Sequence, residues 1–141
     1  MSRYATVAQM QARFDADELE QLTDRDGSAG AIVEPVLQGA LEDACADIDL
    51  YLVTRYQLPL AQVPTVLERV CCDIARYRLY DTRVTDQVRD RYLDAVRLLD
   101  ALAKGNVALG LADGSEPAGD EASIEVQSSG SVFGRGNGGF L

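Results

Sequence analysis

IDLYLVTRYQLPLAQVPTVLERVCCDIARYRLY, residues 48–80, carries two apolar helical patterns joined by a short link that holds two prolines. Reading backward from Tyr56, apolar or small side chains recur at Leu52, Ile48, Ala44 with Cys45, Leu41 and Leu37. Forward from Pro64 they recur at Val66 with Leu67, Val70 with Cys71, Ile74, and Tyr77 with Leu79. Steps of three and four residues put these positions on one face of an α-helix, so both runs predict amphipathic helices. Pro59 and Pro64 lack amide donors and bias their predecessors toward extended backbone, so the link between the runs is not helical.

Working outward, the first of these helices is expected over about residues 32–56. Pro35 falls in its opening turn, where a missing N–H does no harm. Before it, residues 24–30 (DRDGSAG) form an exposed loop of residues that favour turns. Asp24, Asp26 and Ser28 alternate as in a calcium loop, but the twelfth position is Pro35 rather than a bidentate glutamate, which favours a structural loop. Thr6 with Gln9, and Asp15 with Glu18, have the spacing of helix-start caps. They predict short helices over about residues 6–13 and from Asp15 through Leu22, burying Val7, Met10, Phe14, Leu19 and Leu22. The helix that begins near Pro64 or Thr65 is followed by another over residues 87–104, capped by Thr85 or Asp86. Lys104 suits the negative helix end and Gly105 the left-handed position beyond it.

After Gly105 the pattern changes. Val107, Leu109 and Leu111 alternate with small residues, and residues 124–127 are a second strand candidate across the flexible loop ADGSEPAGDEAS. The expected fold is therefore mainly α: a bundle of about five helices over residues 1–104, a small C-terminal β-hairpin over 105–128, and an extended glycine-rich tail over 129–141. A lone hairpin is barely stable and needs a neighbour. The tail SSGSVFGRGNGGFL cannot build a core, yet it carries Val132, Phe133, Arg135, Phe140 and Leu141. Two readings of the tail stand side by side: a disordered terminus, or a segment that orders by docking on a partner, for which these five are the candidate partner-binding residues.

The chain has 141 residues, a size that suits one domain with tails. Its formal net charge is -10, unevenly placed. Residues 1–63 hold 4 basic and 11 acidic side chains, residues 64–104 hold 8 and 7, and residues 105–141 hold 1 and 5. Such a balance disfavours general affinity for a phosphate backbone. Arg69, Arg76, Arg78 and Arg83 are interleaved with Glu68, Asp73 and Asp81, which favours ion pairs over nucleic-acid contacts. Glu42, Asp43, Asp47 and Asp49 read as a solvated or subunit-facing helix surface. Cys45, Cys71 and Cys72 lie inside helical patterns, two of them adjacent, and read as reduced packing residues. No stretch approaches the roughly 20 apolar residues of a membrane span, and no signal pattern opens the chain, so synthesis in the cytoplasm is expected.

The sequence contains no histidine, the commonest general base and metal ligand. The cysteines lack metal-site spacing, and no pattern singles out two carboxylates for acid–base work. The glycines of the tail have neither a strand-to-helix context nor a Gly-Lys-Ser/Thr ending. No catalytic, cofactor-binding or metal-ligating residue is assigned, and an enzyme is the poorer expectation.

Residues 48–81, IDLYLVTRYQLPLAQVPTVLERVCCDIARYRLYD, followed by VRDRYLDAVRLLDALAKGNVALGL, resemble the small neck proteins of Mu-like tailed phages and prophages. The most specific portions run from Tyr51-Leu52 through Leu58-Pro59-Leu60, over Cys72-Asp73-Ile74-Ala75-Arg76-Tyr77, and from Lys104-Gly105 through Leu111. The opening YATVAQMQARF and the ending VFGRGNGGFL fit as well. The resemblance implies a structural head-tail adaptor that forms a dodecameric ring below the portal in the virion neck, extends the DNA channel and offers a platform to the next neck or tail-completion protein. On that reading DNA passes in transient, non-specific contact, and Asp43, Asp47 and Asp49 are candidates to face the channel, since an acidic lining repels DNA. The alternatives are a tail-completion or stopper protein, and a small helical DNA-binding regulator that uses Arg76, Arg78 and Arg83.

Overall fold

A computed structural model describes residues 3–81 and 83–110. Among them are five helices: α1 (Val7–Arg13), α2 (Ala16–Thr23), α3 (Glu34–Leu52), α4 (Thr65–Tyr80) and α5 (Asp86–Lys104). The last three pack on one another, while α1 rests on α3 and α2 rests on both α3 and α4. The core follows the predicted stripes: Leu37, Leu41, Ala44, Ile48 and Leu52 from α3, Leu67, Val70, Cys71 and Ile74 from α4, and Ala95, Leu99 and Leu102 from α5. Each large aliphatic side chain fully buried here contributes about 1.5–3 kcal/mol. Met10, Phe14 and Leu19 close the core from α1 and α2; Tyr4 and Ala5 join them, whereas Val7 and Leu22 are only partly buried.

The local signals act as their chemistry requires. Thr6 Oγ1 accepts from Gln9 N at 3.2 Å, and Gln9 Oε1 accepts from Thr6 N at 2.9 Å, a reciprocal cap that satisfies two free donors. Asp15 accepts from Glu18 N and Thr85 from Val88 N at the starts of α2 and α5. At the end of α5, Gly105 has φ +82°, with Gly105 N donating to Leu102 O and Asn106 N to Ala101 O. This is a Schellman closure.

Three expectations need correction. Helix α3 is shorter than residues 32–56. Its start is delayed because Val33 N donates to Thr23 Oγ1 at 2.9 Å, which holds the approach to Pro35 in extended backbone. Its end comes early because Arg55 N and Tyr56 N both turn back to Leu52 O, so Tyr56 enters the core from a turn. The 24–30 loop is not wholly exposed: Asp24 is buried, and its carboxylate accepts from Ala29 N and Gly30 N. The C-terminal β-hairpin is not supported either. Residues 107–110 form no strand, and Leu109 N instead donates to Tyr56 Oη at 3.1 Å, which fixes this segment to the turn after α3. The rest of the hairpin and the tail lie outside the described residues.

A clamp joins the small helices to the central ones. Arg76 of α4 meets Glu18 of α2 through two hydrogen bonds, of 2.8 and 3.0 Å, and Tyr80 Oη donates to the same carboxylate at 2.5 Å. The Arg76 guanidinium also lies 4.5 Å over the Phe14 ring. Burial alone would raise the Glu18 carboxyl, but hydrogen bonds from Arg76 and Tyr80 outweigh it and hold the group below the usual carboxylate range.

Two outcomes follow from these contacts. A Cβ at Gly105 would meet the Arg55 guanidinium and would force a side chain into left-handed backbone. Gly105→Ala is expected to lower stability by about 1–2 kcal/mol in urea titration, and Gly105→Asn by less, since asparagine tolerates that conformation better. Glu18→Gln is expected to cost about 2 kcal/mol at neutral pH, because it removes the charge from a partly buried, bidentate pair. As the folded value is depressed, this stabilisation is complete above the unfolded carboxylate range and is lost as pH falls through the folded value. The gap between wild type and Glu18→Gln should therefore narrow in titrations taken from neutral into acid pH; an equal gap at neutral and acid pH would contradict the assignment.

Candidate interaction surfaces

The carboxylates of α3 do not share one face. At 100° per residue Asp43 and Asp47 lie one turn apart on the same side, while Asp49 points roughly the opposite way. Asp43 is exposed. Asp47 pairs with Arg78 of α4 at 2.6 Å, and Asp49 is held by the Arg3 guanidinium and by Tyr4 Oη, the latter at 2.5 Å. The Asp47 contact in turn raises Arg78 above its ordinary value. Asp49 thus ties the N-terminal segment to the bundle.

The arginines of α4 are divided among acidic partners. Arg76 belongs to the Glu18 clamp, Arg78 to Asp47, and Arg69 lies 3.9 Å from Asp73. Asp73 is only 6% exposed, and burial pushes its carboxyl up against the opposing pull of Arg69, Arg91, Arg13 and Arg76. Together with Phe14 and Asp94, the side chains of Arg13, Arg69, Asp73 and Arg91 line an open cleft of about 210 Å³ with mixed charge. Arg13 is itself bound to Glu68 at 3.1 Å. Arg83 is exposed at the far end of α4.

The surface that stands out has mainly apolar and aromatic walls and was not singled out by the sequence pattern. Between α3, α4 and α5 lies a groove of about 220 Å³, lined by Leu50, Tyr51, Ile74, Tyr92, Val96 and Leu99, with Asp47 and Arg78 at its rim. Tyr92, one of the lining residues, stacks on Tyr77 with ring centroids 3.9 Å apart. Leu50 is 73% exposed, Val53 61% and Leu93 39%. Single exposed aliphatics need no explanation, but leucine at 73% in an open groove is an unusual exposure of apolar surface. The available signal was that Leu50, Val53 and Leu93 are apolar at positions off the buried stripes of their helices. The sequence-derived candidates Val132, Phe133, Arg135, Phe140 and Leu141 lie outside the described residues.

Among the described residues no helix is long and apolar enough to cross a membrane. Comparison with known proteins supplies the context for these surfaces. A family model described as "Bacteriophage Mu, Gp36" matches residues 4–128. The chain is 44% identical over 135 residues to the Mu-like prophage FluMu protein gp36 of Haemophilus influenzae, covering 96% of this chain and 95% of that protein. It is 36% identical over 140 residues to gene product J of Escherichia phage Mu, covering 98% and 99% of the two chains. With a family model matched over residues 4–128 and relatives matched over nearly the whole of both chains, the chain belongs to the bacteriophage Mu Gp36 family and is a protein of Mu-like phages.

Proposed function

We propose that this protein is a structural component of the phage neck, a head-tail adaptor. Copies form a ring, dodecameric by analogy with other long-tailed phages, that sits below the portal in the virion, extends the DNA channel and presents a platform to the next neck or tail-completion protein. The observation that carries this reading is the groove between α3, α4 and α5, lined mainly by apolar and aromatic side chains, with Leu50 exposed at it. A ring built from one chain needs surfaces that become buried only on association, and an exposed leucine at a groove with apolar and aromatic walls meets that need. Asp43 is left exposed and is the channel-facing candidate with fewest internal ties; Asp47 and Asp49 are held by Arg78 and by Arg3 with Tyr4.

The competing DNA-binding reading is weakened by the same geometry. Arg76 and Arg78, two of its three arginines, are engaged with Glu18 and Asp47. A protein with net charge -10 needs a concentrated basic surface to hold phosphate, and ion-paired arginines do not supply one. A stopper or tail-completion role differs from the adaptor role in neck position rather than in physical type.

Cryo-electron microscopy of necks in assembled particles tests the proposal. Density for this chain in a ring joined to the portal is the expected result, and absence of the chain from purified particles would overturn it. Deleting residues 129–141 is expected to leave the helical circular dichroism unchanged while particle assembly falls, through loss of Phe133 and Phe140 as apolar anchors. Normal particle yield from the truncated protein would remove the tail from the proposed contacts.

A further inference from the structure

The apolar groove poses a physical problem for a chain that has not yet assembled. Leu50 and its neighbours face water in the described residues, and an open apolar groove favours untimely association. We propose that in the free chain this groove is the docking site for the chain's own residues 132–135, with the Phe133 ring inserted between Leu50, Tyr51, Tyr92 and Val96. The inference stands apart from the neck reading, since it concerns the unassembled protein alone.

Size, charge and reach each support this occupant. An apolar cavity of roughly 150 Å³ accepts a benzene ring, so a groove of about 220 Å³ accepts a phenylalanine side chain. The rim carries Asp47 and Arg78, and exposed Asp43 lies one turn away on the same side of α3, which leaves an excess negative charge there. Arg135 is the only basic residue after Lys104 and follows Phe133 by two positions. Phe140, the other aromatic side chain of the tail, has no basic residue closer than Arg135. Phe133 thus brings with it the charge that the rim lacks.

The tether is long enough. Gly110 and Phe133 are 23 residues apart, and a chain of that length spans at most about 76–83 Å. Along α5, the 12 residues from Lys104 back to Tyr92 cover only about 18 Å. A tethered segment within reach of its site acts at an effective concentration on the order of millimolar. At micromolar protein that exceeds the supply from second copies, which is why the chain's own segment is the committed occupant.

The test uses the full chain, with nuclear magnetic resonance signals of Leu50, Tyr51, Tyr92, Val96 and Leu99 as reporters and Met10 and Leu19 as controls for an intact core. Phe133→Ser is expected to shift the groove signals and leave the controls in place, and Arg135→Glu is expected to shift the same set by less. Wild-type signals should be unchanged over a roughly tenfold dilution, as an intramolecular contact requires. Three results would each overturn the proposal: groove signals insensitive to both variants, groove signals that respond to Phe140→Ser but not to Phe133→Ser, or wild-type groove signals that change on dilution, which would assign the groove to a second copy.

Discussion

The seam between α3 and α4 is the contact on which the other elements depend. Small side chains set its depth: Ala44 and Cys45 on one helix meet Cys71 on the other, with Cys45 Sγ 3.7 Å from Cys71 Sγ. That approach lets Leu41, Ile48, Val70 and Ile74 fill the space around it, all at 0–1% exposure. Larger residues at 45 or 71 would push the helices apart, and a close-packed interior has little room to absorb the change. Once the two helices are set, α5 covers one side, and α1 and α2 are drawn against the others through Met10, Leu19 and the Glu18 clamp.

Much of this was legible in the sequence where the determinants are local. Thr6 and Gln9 act within one turn, Gly105 within the last turn of α5, and the stripes of α3, α4 and α5 within each helix. Legibility failed where a distant residue decides. The start of α3 depends on Thr23, ten positions before Val33. Its end was hidden because Tyr56 keeps the four-residue spacing from Leu52 while leaving the helix through a turn. Alternation at Val107 and Leu109 resembled a strand, but the backbone of Leu109 is committed to the Tyr56 hydroxyl.

The interaction surfaces divide in the same way. Interleaved charges on α4 announced ion pairing, though not that Arg76 finds Glu18, 58 positions away, or that Arg78 finds Asp47, 31 positions away. The opposed directions of Asp47 and Asp49 were available from helix geometry alone. A groove, by contrast, is a property of three helices at once, and Leu50, Tyr92 and Val96 become a surface only after α3 and α5 are placed against α4.

The three cysteines have one more consequence. Cys45, Cys71 and Cys72 are all at 2% exposure or less, the Cys71 thiol is held protonated by its contact with Cys45 and by burial, and burial pushes Cys72 up to about 12. The contact with Cys71 lowers the Cys45 thiol to about 6, so it is burial rather than protonation that shields Cys45 from maleimides and similar reagents in the folded chain. A single cysteine added at an exposed site such as position 87 becomes the sole accessible handle for a fluorophore or spin label, without stripping out the native thiols that set the helix seam.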